Sequence, residues 1–236
     1  LVSEMLNRRE NREYLPDVAL PETVRPISSI EEALAEVECI VIAVPSHGVR
    51  ALLRQVAPFL PRGVTVVSAA KGLEGGTLYR MSEIIQQELG QESTVAVLSG
   101  PSFAAEVARE SLTAVSVAAR DSSTVAIVQR EFRSSYFRLY GSDDVIGVEI
   151  GGALKNVIAI AVGVADGLGL GRNATAALIS RGLAEVSRLA CALGGRRETL
   201  SGLSGLGDLV LTCTGSLSRN RKVGFELFRK WYVDGR

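Results

Sequence analysis

The sequence of 236 residues has a single histidine, a single tryptophan, three cysteines and no excess of charge of either sign. Lysine plus arginine and aspartate plus glutamate number 26 each, so no global basic surface for nucleic acid or for an anionic membrane is expected. A local anion site stays open, because net charge says nothing about clustering. Cys39, Cys191 and Cys213 form no C-x-x-C pair. Cys39 and Cys191 fall in apolar-periodic segments and read as small hydrophobes, no metal is expected, and a reducing, cytoplasmic setting is the natural reading. The longest apolar run, Val157 to Val164, contains Gly163 and is soon followed by Asp166. It falls short of the ~20 residues that cross a bilayer, so no membrane partner is expected. No signal peptide is visible, since the chain runs quickly into Asn7-Arg8-Arg9-Glu10. Also missing is any G-x-G-x-x-G, the loop that opens most nucleotide-binding sheets.

What is present is globular: 47% hydrophobic and 22% charged residues. Cys39 to Val44, Val64 to Ser68, Val95 to Leu98 and Thr113 to Val117 are short buried-strand runs. Between them lie helical patterns, one through Val49, Leu52, Leu53 and Val56, another through Leu78, Met81, Ile84, Ile85 and Leu89. This alternation predicts parallel strands in an α/β sheet. The chain opens with a helix-like stretch, Val2 to Glu13. From about Asp143 the pattern is helical and glycine-rich, predicting one helix over Val145 to Ala165 and another over Ala174 to Leu193, stopped by Gly194-Gly195. Gly167-Leu-Gly-Leu-Gly171 follows a helix and reads as a turn between the two. The expected division is a sheet domain over 1–142 and an all-α substrate domain over 143–236.

Three strand ends in succession carry special sequences: Val44-Pro45-Ser46-His47, Ser68-Ala-Ala-Lys71-Gly72 and Ser99-Gly100-Pro101-Ser102-Phe103. Ligands of open parallel sheets bind beyond such ends, so a cleft lined by small residues and one lysine is expected there. Ser102 can be a turn residue or the N-cap of the next helix. His47, solitary in a loop, reads as structural or solvated. Within the long helix, Gly151-Gly-Ala-Leu-Lys155-Asn156 places two glycines at a cost of ~1 kcal/mol each, which points to close approach of a backbone or ligand. Lys155 shares a face with Gly151 in an apolar neighbourhood. Asp208 lies one turn before Thr212 on a further helix. Ser218 can cap the last one, leaving Arg219 to Lys222 in its first turn, where basic residues oppose the helix dipole unless an anion is bound.

Taken together, Tyr14-Leu-Pro16, Val44-Pro45-Ser46, Lys71-Gly72, Ser99 to Ala104, Gly151 to Asn156, Gly205 to Leu209 and Ser218 to Arg221 resemble the NAD(P)-dependent glycerol-3-phosphate dehydrogenases, in the bacterial form. The resemblance implies a Rossmann-like domain followed by a helical one, with NAD or NADP as cofactor. It implies interconversion of sn-glycerol 3-phosphate and dihydroxyacetone phosphate, feeding glycerophospholipid synthesis, and is compatible with a homodimer. Lys155 matches the catalytic lysine. Lys71, Gly100, Ser102, Lys155, Asp208, Ser218, Arg219 and Asn220 match substrate-binding positions, and Lys71, Ala104 and Arg219 match cofactor contacts. The first βαβ unit, at least ~30 residues, has no counterpart and the match fades after about Phe225, so the sequence reads as truncated at both ends. Two alternatives stay open. A β-hydroxyacid-type dehydrogenase would carry asparagine four residues after the lysine, where Ala159 stands. An inactive remnant could serve only as a dimerising or regulatory module.

Overall fold

In a computed structural model of the chain, residues 1–91 and 93–229 are described. The closing residues 230–236 lie outside them, as does that part of the expected second domain.

The chain opens with helix α1 (Val2–Arg8), shorter than the expected Val2 to Glu13 because Arg9 turns left-handed at φ 55°. An antiparallel pair that the sequence reading missed follows, β1 (Glu10–Asn11) with β2 (Leu15–Ala19). Helix α2 (Ile30–Leu34), capped by Ser29, leads into β3 (Cys39–Ile42). Then come α3 (Val49–Val56), β4 (Thr65–Ser68), α4 (Met81–Leu89), β5 (Thr94–Ser99), α5 (Ala104–Ala108), β6 (Thr113–Ala119), α6 (Ser122–Phe132) and β7 (Phe137–Ser142). The sheet order is β3-β4-β5-β6-β7.

Period-2 alternation explains how the sheet is covered on both faces. Val66 packs with Ile42, Val49, Leu53, Met81, Ile84 and Ile85 under α3 and α4. Its neighbour Val67 joins Val115, Val117, Val125, Val128 and Leu139 under α6. The expectation of an all-parallel sheet is corrected at one place, since β6 runs antiparallel to β5 while the other pairs are parallel. The only helix in the connection between them has five residues. Such a helix spans about 7.5 Å, against roughly 20 Å for a six-residue strand, and cannot carry the chain back across the sheet. Helix α4 also starts later than its pattern suggested. Leu78 is exposed and left-handed (φ 60°), inside a loop closed by a bridge between Leu73 and Arg80.

The remainder is helical: α7 (Val145–Gly167), α8 (Gly171–Ala192), α9 (Arg197–Leu200), a wide π turn over Leu203–Gly207, α10 (Asp208–Thr214) and α11 (Arg219–Phe228). Helix α7 is the axis. It lies on β5 and β6 through Val148 against Val97 and Ala118, and packs against α8, α10 and α11. By length and composition it could cross a membrane (23 residues, with an 18-residue stretch of mean hydropathy 1.8), although Lys155 and Asn156 interrupt it ahead of the run Val157 to Val164. Half of that stretch is buried inside the protein. Gly169 and Gly171, both at positive φ, make the turn into α8, and Gly194 at φ 96° ends α8. Cys191 is exposed, which corrects its reading as a packed hydrophobe, whereas Cys213 is buried.

Candidate active site

Three segments far apart in sequence meet beyond the carboxyl ends of β4 and β5. Lys71 comes from the loop after β4, Lys155 from the middle of α7, and Asp208 from the start of α10. The Asp208 carboxylate, 1% exposed, accepts from both amines: Oδ1 from Lys155 Nζ, and Oδ2 from Lys71 Nζ at 2.7 Å. Lys71 Nζ also donates to the Gly100 carbonyl at 2.9 Å, tying in the loop after β5. Thr212 Oγ1 donates to the backbone carbonyl of Asp208 at 2.6 Å, one turn along α10.

The two glycines of α7 make this meeting possible. A Cβ on Gly152 would stand 2.3 Å from Ser99 Oγ and 3.7 Å from Lys71 Cγ. A Cβ on Gly151 would stand 2.5 Å from the Ser204 carbonyl, within the π turn that delivers Asp208. One glycine admits the sheet side and the other admits the helical side, so the close approach inferred from sequence is to backbone and side chains alike.

Burial makes Lys155 an unusual lysine. Its residue is 8% exposed, and its pKa falls from 10.5 to about 8. Desolvation is the main cause and the nearby Lys71 ammonium the second, while Asp208 pulls the other way. A shift of that size is roughly 3 kcal/mol of bias against the ammonium form. Cys213, buried near Lys155, has its thiol pushed up to about 11 by desolvation.

The other expected residues fall in two groups. On α11, Ser218 is buried and caps the helix by accepting from Arg221 N at 3.2 Å. Asn220 Nδ2 donates to Asn156 Oδ1 at 2.8 Å, which holds the start of α11 beside Lys155. Arg219 is exposed, and a cavity of about 300 Å³ lined by Ser216, Ser218, Arg221, Lys222 and Phe225 opens at the same end. The basic turn is partly matched from within, since Arg221 pairs with Asp166 of α7 at 2.6 Å. In the loop after β5, Gly100 is buried at φ 144°, and a Cβ there would stand 2.9 Å from Val115 Cα. Ser102 is not the N-cap of α5. That place belongs to Phe103, and Ser102 Oγ donates to the Gly100 carbonyl instead. Ala104 opens α5, exposed to solvent and apart from the lysine pair. His47 is exposed in a single 3₁₀ turn. Another cavity, of about 470 Å³ between α4, α6 and the start of α7, lies toward the other end of β5.

The strand-end loops pack closely on one another. Gly72 lies so close to Ser46 that a Cβ would come within 2.5 Å of its hydroxyl, joining the loops after β3 and β4 into one floor. Ser68 and Ser99, buried at the ends of β4 and β5, have hydroxyls with no partner among the described residues. The sequence reading missed Glu149, a buried acid on α7 whose partner Arg80 lies 69 positions away in the chain.

Comparison with known proteins gives the same result along most of the chain. Residues 1–125 match the family described as NAD-dependent glycerol-3-phosphate dehydrogenase N-terminus, and residues 144–234 match its C-terminus. A glycerol-3-phosphate dehydrogenase (NAD(P)+) of Syntrophotalea carbinolica is 51% identical over 231 residues, covering 97% of this chain and 69% of the relative. That of Acidobacterium capsulatum is 55% identical over 224 residues, covering 92% and 66%. The crystal structure of the Coxiella burnetii glycerol-3-phosphate dehydrogenase superposes with a TM-score of 0.92 at 42% identity, covering 96% of this chain and 69% of that one. The chain thus spans about two thirds of the length of these relatives.

Proposed function

The chain belongs to the NAD-dependent glycerol-3-phosphate dehydrogenase family, and from that premise we propose that it interconverts sn-glycerol 3-phosphate and dihydroxyacetone phosphate, in a cytoplasmic setting. The observation that carries the reading is the buried Lys155–Asp208–Lys71 cluster at the strand ends. Lys71, Ala104 and Arg219 would hold NAD or NADP, which when bound would supply the hydride chemistry at C2. The work of the chain is to hold the substrate and move one proton. Neutral Lys155 accepts the C2 hydroxyl proton in oxidation, and its ammonium returns it in reduction. Asp208 fixes both amines. Lys71 uses one N–H on Asp208 and one on Gly100, leaving a third for substrate oxygen. Ser218, Arg219 and Asn220 hold the phosphate at the start of α11, where backbone N–H groups also favour an anion. Gly100 and Ser102 line the substrate from the loop after β5. We place the boundary between the sheet domain and the substrate domain at Ser142, between β7 and α7.

Lys155→Ala is expected to abolish turnover while leaving cofactor affinity unchanged in a fluorescence titration. Retained turnover would remove Lys155 from the chemistry. Arg219→Ala should weaken phosphate-bearing substrate by about 1.5–3 kcal/mol, the worth of a charge-assisted hydrogen bond. An equal loss with unphosphorylated glycerol would count against the phosphate role.

A further inference from the structure

One buried ionisable group has no part in the chemistry above. Glu149 lies on α7 with its side chain 8% exposed, and burial pushes its carboxyl up in pKa. It faces the start of α4. Its Oε1 accepts from Ser82 N at 2.8 Å, and its Oε2 accepts from Ser82 Oγ and Arg80 Nη1, both at 2.7 Å. Arg80 is also held by Glu83, through its backbone N at 2.8 Å and its guanidinium at 2.9 Å. A buried acid gripping three donors is costly to desolvate, so the contact should do more than fill space.

What it grips is the far end of the loop that carries Lys71. That loop closes on itself through the Leu73–Arg80 bridge and the Glu74 N to Tyr79 O hydrogen bond at 2.9 Å. Fixing Arg80 therefore fixes Leu73, two residues from Lys71. Glu149 also shares the wall of a small cavity with Lys71, Ser68, Ser99 and Gly152. The helix that carries Lys155 thus carries the anchor for the other lysine as well.

We propose that Glu149 is a positioning residue that, through Arg80 and Ser82, sets how closely the Lys71 ammonium stands to Lys155. The proposal rests on Lys155 being the proton acceptor. Among the described residues, the ionisable groups around Lys155 are Lys71, Asp208 and Cys213, with Arg221 of α11 engaged by Asp166. Of these only Lys71 is attached to the segment that Glu149 holds.

The sign of one measurement separates positioning from a through-space effect. If Glu149→Gln frees the loop and Lys71 withdraws, repulsion on the Lys155 ammonium falls, and the acid limb of glycerol 3-phosphate oxidation moves to higher pH, by roughly half a unit or more. Loss of a negative charge acting directly would move it lower. The test is kcat/KM against pH for the full chain, Glu149→Gln, Lys71→Met and the double variant, with Lys155→Ala alongside. The expected result is an upward shift in Glu149→Gln that adds nothing once Lys71 is Met. An unmoved or lowered limb, or shifts that add, overturns the proposal. Should Glu149→Gln not fold, Ser82→Ala removes one bond to Glu149 without changing charge. A smaller upward shift is then expected, and none overturns the proposal. Turnover in Lys155→Ala would take the base assignment down with it, whereas a dead Lys155→Ala beside an unmoved Glu149→Gln limb removes the positioning role alone.

Discussion

Lys155 carries opposite demands, and its titration exposes them. With its pKa near 8, oxidation should rise with pH through that value while reduction, which needs the ammonium, falls above it. Initial rates in both directions over pH 6–10 check this. Neighbours set the midpoint with opposite signs. Lys71→Met should move it up by removing a cation, and Asp208→Asn should move it down by removing the carboxylate that favours the charged form. The same group bears on stability. Its folded pKa lies below the unfolded value of about 10.4, so the unfolded chain binds more protons between those values and stability rises with pH across that window. Below pH 8 the full penalty is present, on the order of 3 kcal/mol. Lys155→Met should therefore be more stable than the parent at neutral pH in urea denaturation, with the gap closing between pH 8 and 10.5. Most of this site was legible in sequence, because Lys71 and Asp208 adjoin glycine and Lys155 follows Gly151 and Gly152 by one helical turn in an otherwise apolar context. Glu149 and Arg80 were not, since an ion pair joining positions 69 apart in sequence leaves no local pattern.

Between elements, glycine sets the distances. A Cβ on Gly163 would stand 2.0 Å from the Arg221 carbonyl, and one on Gly224 would stand 2.0 Å from that of Ile160, so α7 and α11 are in backbone contact. Gly163→Ala gains up to ~1 kcal/mol of helix propensity, yet it should destabilise by about 1–3 kcal/mol in urea denaturation, because backbone cannot yield as a side chain can. Gly48 makes the control. It has nothing within 4 Å and an ordinary φ of −96°, and Gly48→Ala should be neutral or stabilising by about 0.4–1 kcal/mol. Helices α7 and α8 were readable because each holds its period for 22 residues or more. The reversed direction of β6 was not, because alternation in Thr113–Ala119 is the same whichever way the strand runs. Nor was the π turn, whose course depends on Gly205 fitting against Leu200 and on Gly151 fitting against Ser204.

Across the whole molecule, α7 joins the sheet to the helices, with β5 and β6 on one side and α8, α10 and α11 around the rest. Amides of α7 from Ile150 to Val162 should therefore exchange with solvent among the slowest, and those of the exposed β1–β2 pair among the fastest, in native-state hydrogen exchange. The apolar character that buries α7 has a further consequence during synthesis. Its cover is completed by α11, which ends at Phe228, 228 − 167 = 61 residues after α7 ends. At about 5–20 residues per second, the ribosome needs roughly 3–12 s to make that cover. Through that interval a segment of mean hydropathy 1.8 stands uncovered, with the length of a membrane span. A lysine near the centre of such a segment adds about 2.5–3.5 kcal/mol to the cost of entering lipid. The amine proposed to move the proton in the finished protein thus also biases the nascent helix toward water.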